Sequence, residues 1–162
     1  MRYKFKEALL KLFTYETSPK KLALVCALAL YIAFSPFFGL HTLMLIASGW
    51  MFKLNVPLLL LVGYVINNPF TMVPIYMSGY IAGHWLLHGY FKLNVITYNP
   101  WWMNFINNFL HTQIGITNIS FWAFLIGGNI VGVILGCIAY PVMLRIFEKL
   151  SAQHFGVLGE RK

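Results

Sequence analysis

Phe34-Ser35-Pro36-Phe37-Phe38-Gly39-Leu40-His41-Thr42 interrupts an apolar stretch that otherwise runs over residues 22–52. Its arms, residues 22–34 and 43–52, are about 20 Å and 15 Å long at ~1.5 Å per residue, against a bilayer core of about 30 Å. Neither arm crosses a membrane alone. The stretch is therefore one kinked span or a re-entrant hairpin whose tip stops near the midplane. The next apolar stretch, residues 56–91, has the same plan. An arm over residues 58–66 meets Asn67-Asn68-Pro69-Phe70-Thr71, and after Pro74 a run over residues 75–91 is nearly long enough to span.

The solvent that suits such stretches follows from the charges. Of 162 residues, 59% are hydrophobic and 10% charged, where a soluble domain carries about 25% charged residues. Lys53 and Lys92 are the only full charges over residues 22–144. The chain has no Asp, and Glu7, Glu16, Glu148 and Glu160 all lie in the end segments. A charge at the centre of a membrane helix costs at least ~2.5–3.5 kcal/mol, so this distribution predicts an all-α integral membrane protein. Its expected parts are re-entrant or broken helix hairpins, about two full transmembrane helices and an N-terminal amphipathic interfacial helix.

Residues 1–17 alternate basic and apolar side chains as a helix on an anionic leaflet does, with a solvated tail as the alternative. Residues 18–150 read as a single membrane domain. It comprises a first broken hairpin (18–56), a second broken segment with a spanning helix (57–93), an interfacial segment (94–118) and a spanning helix (119–147). Residues 148–162 read as a cytoplasmic tail. The basic region before Leu22 is too long for a signal peptide and no A-x-A site follows, so this segment is expected to stay in the mature fold.

Phe52-Lys53-Leu54-Asn55-Val56 recurs as Phe91-Lys92-Leu93-Asn94-Val95, and Pro36-Phe37 is echoed by Pro69-Phe70. Interrupted apolar segments in two related halves point to a transporter-type site; duplication without function is the other reading. Pro100-Trp101-Trp102 predicts a short interfacial helix. Residues 121–144 are the cleanest spanning helix, with Gly128, Gly132 and Gly136 at i, i+4 and i+8. Gly79 and Gly83 form a second small-residue stripe, and such stripes pack helices within a chain or between copies. Cys26 and Cys137 sit in separate apolar runs and read as small hydrophobes, with a disulfide or reactive role as the alternative. The net charge of +8 is concentrated at the two ends, which the positive-inside rule places in the cytoplasm; no nucleic-acid partner is expected. An even number of crossings follows. A first stretch re-entrant from the cytoplasmic side, an outward crossing by the second stretch and a return through residues 121–144 satisfy that count.

Absence narrows the chemistry. With no carboxylate between Glu16 and Glu148, the apolar region holds no acid/base pair, carboxylate-bound Mg²⁺ or Ca²⁺, or acidic proton relay. His84 and His88 are i, i+4, the spacing of two metal ligands, but no acid or Cys completes a shell, and polar packing is the simpler reading. No catalytic residue, metal or cofactor is expected. Ser35 before Pro36 and Asn68 before Pro69 look like N-cap and N1 pairs. Two half-helices starting at the breaks would point free N–H groups into the gap and favour an anion. The expected lining is Ser35, His41, Thr42, Asn67, Asn68 and Thr71. The alternative is that the polar side chains only satisfy their own broken helices.

These residues also carry a family resemblance. Ser18-Pro19-Lys20-Lys21, the run from Phe34 to Thr42, Asn67-Asn68-Pro69-Phe70-Thr71 and Pro74-Ile75-Tyr76 resemble the bacterial membrane family known as domain of unknown function 2062, from about Ser18 to the C-terminal helix. The resemblance implies a bacterial inner-membrane location. Some relatives look fused or adjacent to glycosyltransferases that use lipid-linked sugars. The broken-hairpin plan also looks like the DedA-type lipid-phosphate carriers, although the buried Arg of those carriers has no counterpart here. The expected function is a small transporter or flippase for an anionic substrate, most plausibly a lipid-linked phosphate, working as a homodimer among membrane lipids. The alternative is a non-transporting module that docks a partner such as a glycosyltransferase through the Gly128, Gly132 and Gly136 stripe.

Overall fold

A computed structural model describes residues 18–37, 39–92, 99–101, 103–114 and 119–159. The expected amphipathic helix over residues 1–17 lies outside them. The described residues are helical, joined by turns: α1 Pro19–Phe34, α2 His41–Met51, α3 Val56–Ile66, α4 Pro69–His84 continuing as a π-helix over Trp85–Tyr90, α5 Met103–Ile114 and α6 Phe121–Gly159.

Helix α1 begins where Ser18, extended at φ −95° and ψ 115°, precedes Pro19 at the first helical position. It ends because Pro36 excludes the helical conformation for the residue before it, and Ser35 accordingly sits at φ −67° and ψ 132°. Ser35 is thus a C-cap. The next helix starts only at His41, after Gly39 turns at φ +79°, so the expected N-cap role of Ser35 is corrected. At the second break the expectation holds. Asn68 N-caps α4, its side chain accepting from Phe70 and Thr71 N–H, with Pro69 first in the helix. Pro74 lies inside α4, so the helix that Asn68 and Pro69 begin continues through this proline into the apolar run over residues 75–91. The capping box fixes its start ahead of the proline.

The first stretch is a hairpin. The Lys21 ammonium, at the start of α1, donates to the Lys53 carbonyl just past α2 at 3.2 Å, so both ends of the stretch lie together. Helix α3 runs back antiparallel to α2. A Cβ built on Gly49 would meet Val56, and one on Gly63 would meet Leu45, each under 3.0 Å away. Asn67 therefore returns to the level of the first break. Val25, Ala29, Ile32, Leu45, Leu54, Leu58 and Leu59 form the core that these three short helices share. At Asn67-Asn68 the chain bends by 77° between α3 and α4.

Helix α6 is the spine. Its Gly128, Gly132 and Gly136 face Phe34, Tyr31 and Ala27 of α1, and Gly127 and Gly128 face Gly79 and Gly83 of α4. Both stripes are internal packing surfaces in this chain, and backbone approaches backbone along them. Tyr31 donates to Asn129 Oδ1 at 3.1 Å across the α1–α6 seam. The helix runs on through Arg145, Glu148 and Lys149, so the expected tail begins as helix. Its N-terminus is held by side chains. Phe121 N–H donates to Asn99 Oδ1 at 2.9 Å, and Ala123 N–H to the buried Ser120 hydroxyl at 3.3 Å. Helix α5 starts at Met103, its N–H bonded to the Pro100 carbonyl at 2.9 Å, close to where Pro100 places it.

Among the described residues one helix, over Phe121–Ala152, is long and apolar enough to cross a membrane, with a mean hydropathy of 2.2 in its most apolar window. The bent pair α3 and α4 meets the same test when taken together. Large apolar side chains are turned outward along these helices, among them Phe70, Val73, Met77, Ile81, Ile134 and Ile138. Apolar surface of that extent marks an interaction or membrane surface.

Candidate functional site

The two breaks meet. Ser35, fully buried, has a carbonyl freed when α1 ends, and His41 of α2 takes it through Nε2 at 2.9 Å. A carbonyl only accepts, so Nε2 carries a proton and donates it. The Tyr76 hydroxyl of α4 lies 3.4 Å from the same Nε2, and the Asn67 side chain reaches Tyr76 from the second break. A chain of contacts thus runs from Ser35 through His41 and Tyr76 to Asn67.

A cavity of about 190 Å³ lies beside this chain, walled by Ala29, Ile32, Leu45 and Met72 and given polarity by His41, Tyr64 and Asn67. Asn67 Oδ1 is buried there without a partner. Leaving a buried amide oxygen unpaired costs about 1–3 kcal/mol, so this atom is prepared for a donor. Thr42 and Tyr64 hydroxyls bond at 2.8 Å on the exposed side of the cavity wall.

The six expected residues divide by role. His41 and Asn67 face the cavity. Ser35 positions His41 through its carbonyl, its own hydroxyl resting 3.9 Å from the Met44 sulfur. Thr42 holds Tyr64. Asn68 and Thr71 close the helix ends instead. Asn68 Oδ1 accepts from Phe70 and Thr71 N–H at 2.9 and 3.1 Å, its Nδ2 donates to the Val65 carbonyl at 2.9 Å, and the Thr71 hydroxyl donates to the Ile66 carbonyl. The first N–H groups of α4 are therefore occupied, and Ser35 starts no helix. Paired helix N-termini do not form the anion cradle that the sequence suggested. Tyr64 and Tyr76 were missed as site residues. Tyr64 stands one turn before Asn67 on α3, a spacing that puts both on one face.

Helix α6 gives the depth. Phe34 and Gly79 both lie beside Gly128. From Lys21 to Phe34 is about 20 Å of helix, and from Gly79 to Tyr90 about 15 Å, at ~1.5 Å per residue. The site is thus near the middle of a body about 35 Å long. His84 and His88 lie toward one end of it, with ring centroids 4.4 Å apart. Among the described residues no three His, Cys, Asp or Glu side chains come together, so this pair has no third ligand.

The sequence model of a family described as "Uncharacterized protein conserved in bacteria (DUF2062)" matches residues 2–155, and the chain belongs to that family. No curated protein and no solved structure matches it.

Proposed function

We propose that this member of the DUF2062 family is a small multi-pass protein of the bacterial inner membrane, both termini cytoplasmic, that binds and translocates a lipid-linked phosphate at the cavity between its breaks. The observation that carries the reading is the buried, unpartnered Oδ1 of Asn67, a residue that with His41 and Tyr64 brings polar groups to an otherwise apolar cavity about midway along the body. Irregular backbone at membrane depth is tolerated when it is buried in protein or lines a wet cavity, and Ser35 at the first break is buried while Asn67 at the second lines the cavity, which supports this reading. A volume of about 190 Å³ is roughly six water volumes, which suits a phosphate group with its first water rather than a sugar. The Tyr64 hydroxyl can donate to a phosphate oxygen, while His41, whose Nε2–H is taken by the Ser35 carbonyl, walls the cavity. The Asn67 amide can accept from a P–OH or turn to donate. The absence of acids over residues 17–147 leaves nothing to repel an anion.

The hairpin α1–α2 enters from the cytoplasmic face, α4 with its π-helix crosses outward, and α6 returns. Two crossings make a narrow path, so the working unit in this reading is a homodimer. Docking a partner through Gly128, Gly132 and Gly136 is the weaker reading, because α1 already covers them.

The test is leaflet exchange of a fluorescent polyprenyl monophosphate in reconstituted vesicles. Wild-type protein accelerates exchange, and Asn67→Ala slows it about tenfold, the equivalent of one buried hydrogen bond worth ~1.4 kcal/mol. Wild-type exchange no faster than in protein-free vesicles, or an unimpaired Asn67→Ala, defeats the reading.

A further inference from the structure

We propose that Lys53 and Lys92 are headgroup anchors, each set by a left-handed helix-ending turn to hold the phosphate of an anionic lipid, one at each face of the membrane. The inference rests on the membrane reading above and adds a partner to it.

The first two residues of the repeated pentapeptide, described in both copies, do the same thing twice. Phe52 and Phe91 each follow a helix, and the lysine after each adopts positive φ, 52° at Lys53 and 51° at Lys92. Among the described residues these are the only ones other than glycine to do so. At Lys53 the turn is a Schellman motif. Lys53 N–H bonds the Trp50 carbonyl at 3.3 Å, and Leu54 N–H bonds the Gly49 carbonyl at 2.8 Å, with Leu54 buried beneath. Glycine is the usual residue at this position because a Cβ is disfavoured in the left-handed region. The chain nevertheless places there, both times, the only two full charges over residues 22–144. A lysine that merely complemented a helix C-terminus could stand anywhere in the last turn without that backbone conformation. Strain that persists in a fold points to a use for it.

The surroundings identify the use. Both lysines are exposed. Trp50 is 87% exposed beside Lys53, and Tyr90 is 72% exposed beside Lys92. Aromatic rings next to a lysine are the composition of a membrane interface, where the ring sits at headgroup level and the ammonium reaches outward. Lys21 joins the first turn through its bond to the Lys53 carbonyl, and Lys20 precedes it, so that face concentrates positive charge. The turn N–H groups at Lys53 and Leu54 are occupied by helix carbonyls, which leaves the ammonium, not a backbone nest, as the group that meets an anion. Along α6 the first turn lies level with about residue 142, six residues past the approach of Gly136 to Ala27, and the second lies beyond the approach of Gly83 to Ala123, about 40 Å away along the helices at ~1.5 Å per residue. That is the separation of two headgroup layers across a core of about 30 Å.

The experiment follows thermal unfolding of the full chain by tryptophan fluorescence, in vesicles of phosphatidylcholine alone and with one third phosphatidylglycerol. Wild-type protein melts higher in the anionic vesicles. Lys53→Gly and Lys92→Gly each raise the melting temperature in phosphatidylcholine by about 2–4 °C as backbone strain is relieved, and each reduces the gain given by phosphatidylglycerol. The double variant loses most of that gain, while Lys53→Arg keeps it. Glycine variants that retain the full wild-type gain overturn the anchor role. So does inorganic phosphate that reproduces the gain in phosphatidylcholine vesicles, since the turns would then bind a free anion. A chain that floats with neither vesicle overturns the membrane reading as well, which separates the two failures.

Discussion

Gly83→Ala tests how the site is held between α4 and α6. A Cβ on Gly83 would land against the Ala123 carbonyl oxygen, with the Ala123 carbonyl carbon at 2.7 Å and Gly127 N at 2.9 Å. All three are backbone atoms of α6, so no side chain can swing away. Ordinary contact needs about 3.5–4.0 Å, and the helices must part by on the order of 1 Å, which also opens the Gly79–Gly128 approach. A gap of that size forfeits a quarter to a half of each contact along the seam, and overpacking of this kind costs about 1–3 kcal/mol or more. Alanine regains about 0.5–1 kcal/mol of helix propensity. The expected net loss is about 2–3 kcal/mol, a fall of roughly 5–10 °C in melting temperature for a chain of this size. Gly136→Ala is the matched control. Its Cβ would lie 3.2 Å from the Ala27 carbonyl, a few tenths of an ångström too close, so propensity offsets crowding and the melting temperature moves little. Both are read by tryptophan fluorescence during thermal unfolding in detergent. A Gly83→Ala protein that melts with the wild type refutes the close backbone seam.

The two adjacent asparagines are expected to respond differently. Asn68→Ala removes the cap of α4 and lowers stability by about 1–2 kcal/mol, with Asn68→Ser recovering most of it. Asn67→Ala removes an unpaired buried oxygen together with the bond to Tyr76, so gain and loss offset and stability moves by less than about 1 kcal/mol. Equal losses in unfolding midpoint would contradict the division of roles. Tyr31→Phe deletes the 3.1 Å bond to Asn129 and keeps the ring, so a loss of about 0.6 kcal/mol is expected on the same assay. A loss several times larger would mean that the seam depends on that bond rather than on its glycines.

The sequence made the breaks legible because proline leaves a local mark. Pro36 ends α1 and Pro69 begins α4, and both effects act on neighbouring residues. The difference between Ser35 and Asn68 was hidden, since a polar residue before proline reads alike in both places. What separates them is downstream. Thr71 stands three residues after Asn68 to complete a capping box, whereas position 38, three after Ser35, is Phe and Gly39 then turns the chain away. Tyr76 could not be placed because its partners, His41 and Asn67, belong to other elements, and only the hairpin and the 77° bend bring them together. The glycine stripes had the opposite character. Their spacing was plain, but whether they served one chain or two depended on α1 and α4 both lying against α6.

A chain built only to cross a membrane could use straight helices, whose backbone groups pair internally. Here several side chains repair the breaks instead. His41 satisfies the Ser35 carbonyl, Asn68 the Val65 carbonyl and two N–H groups of α4, and Thr71 the Ile66 carbonyl. Repair on that scale makes broken helices stable without making them useful, so it argues for nothing beyond the fold. Asn67 differs, because its oxygen is buried with no partner in a residue that lines the cavity, and leucine, with the same branching and number of side-chain heavy atoms, would occupy the place without that cost. Asn67→Leu therefore separates the two explanations in one protein. A purely structural break tolerates it or gains stability and leaves exchange of the polyprenyl monophosphate intact, whereas a phosphate that binds in this cavity loses its exchange.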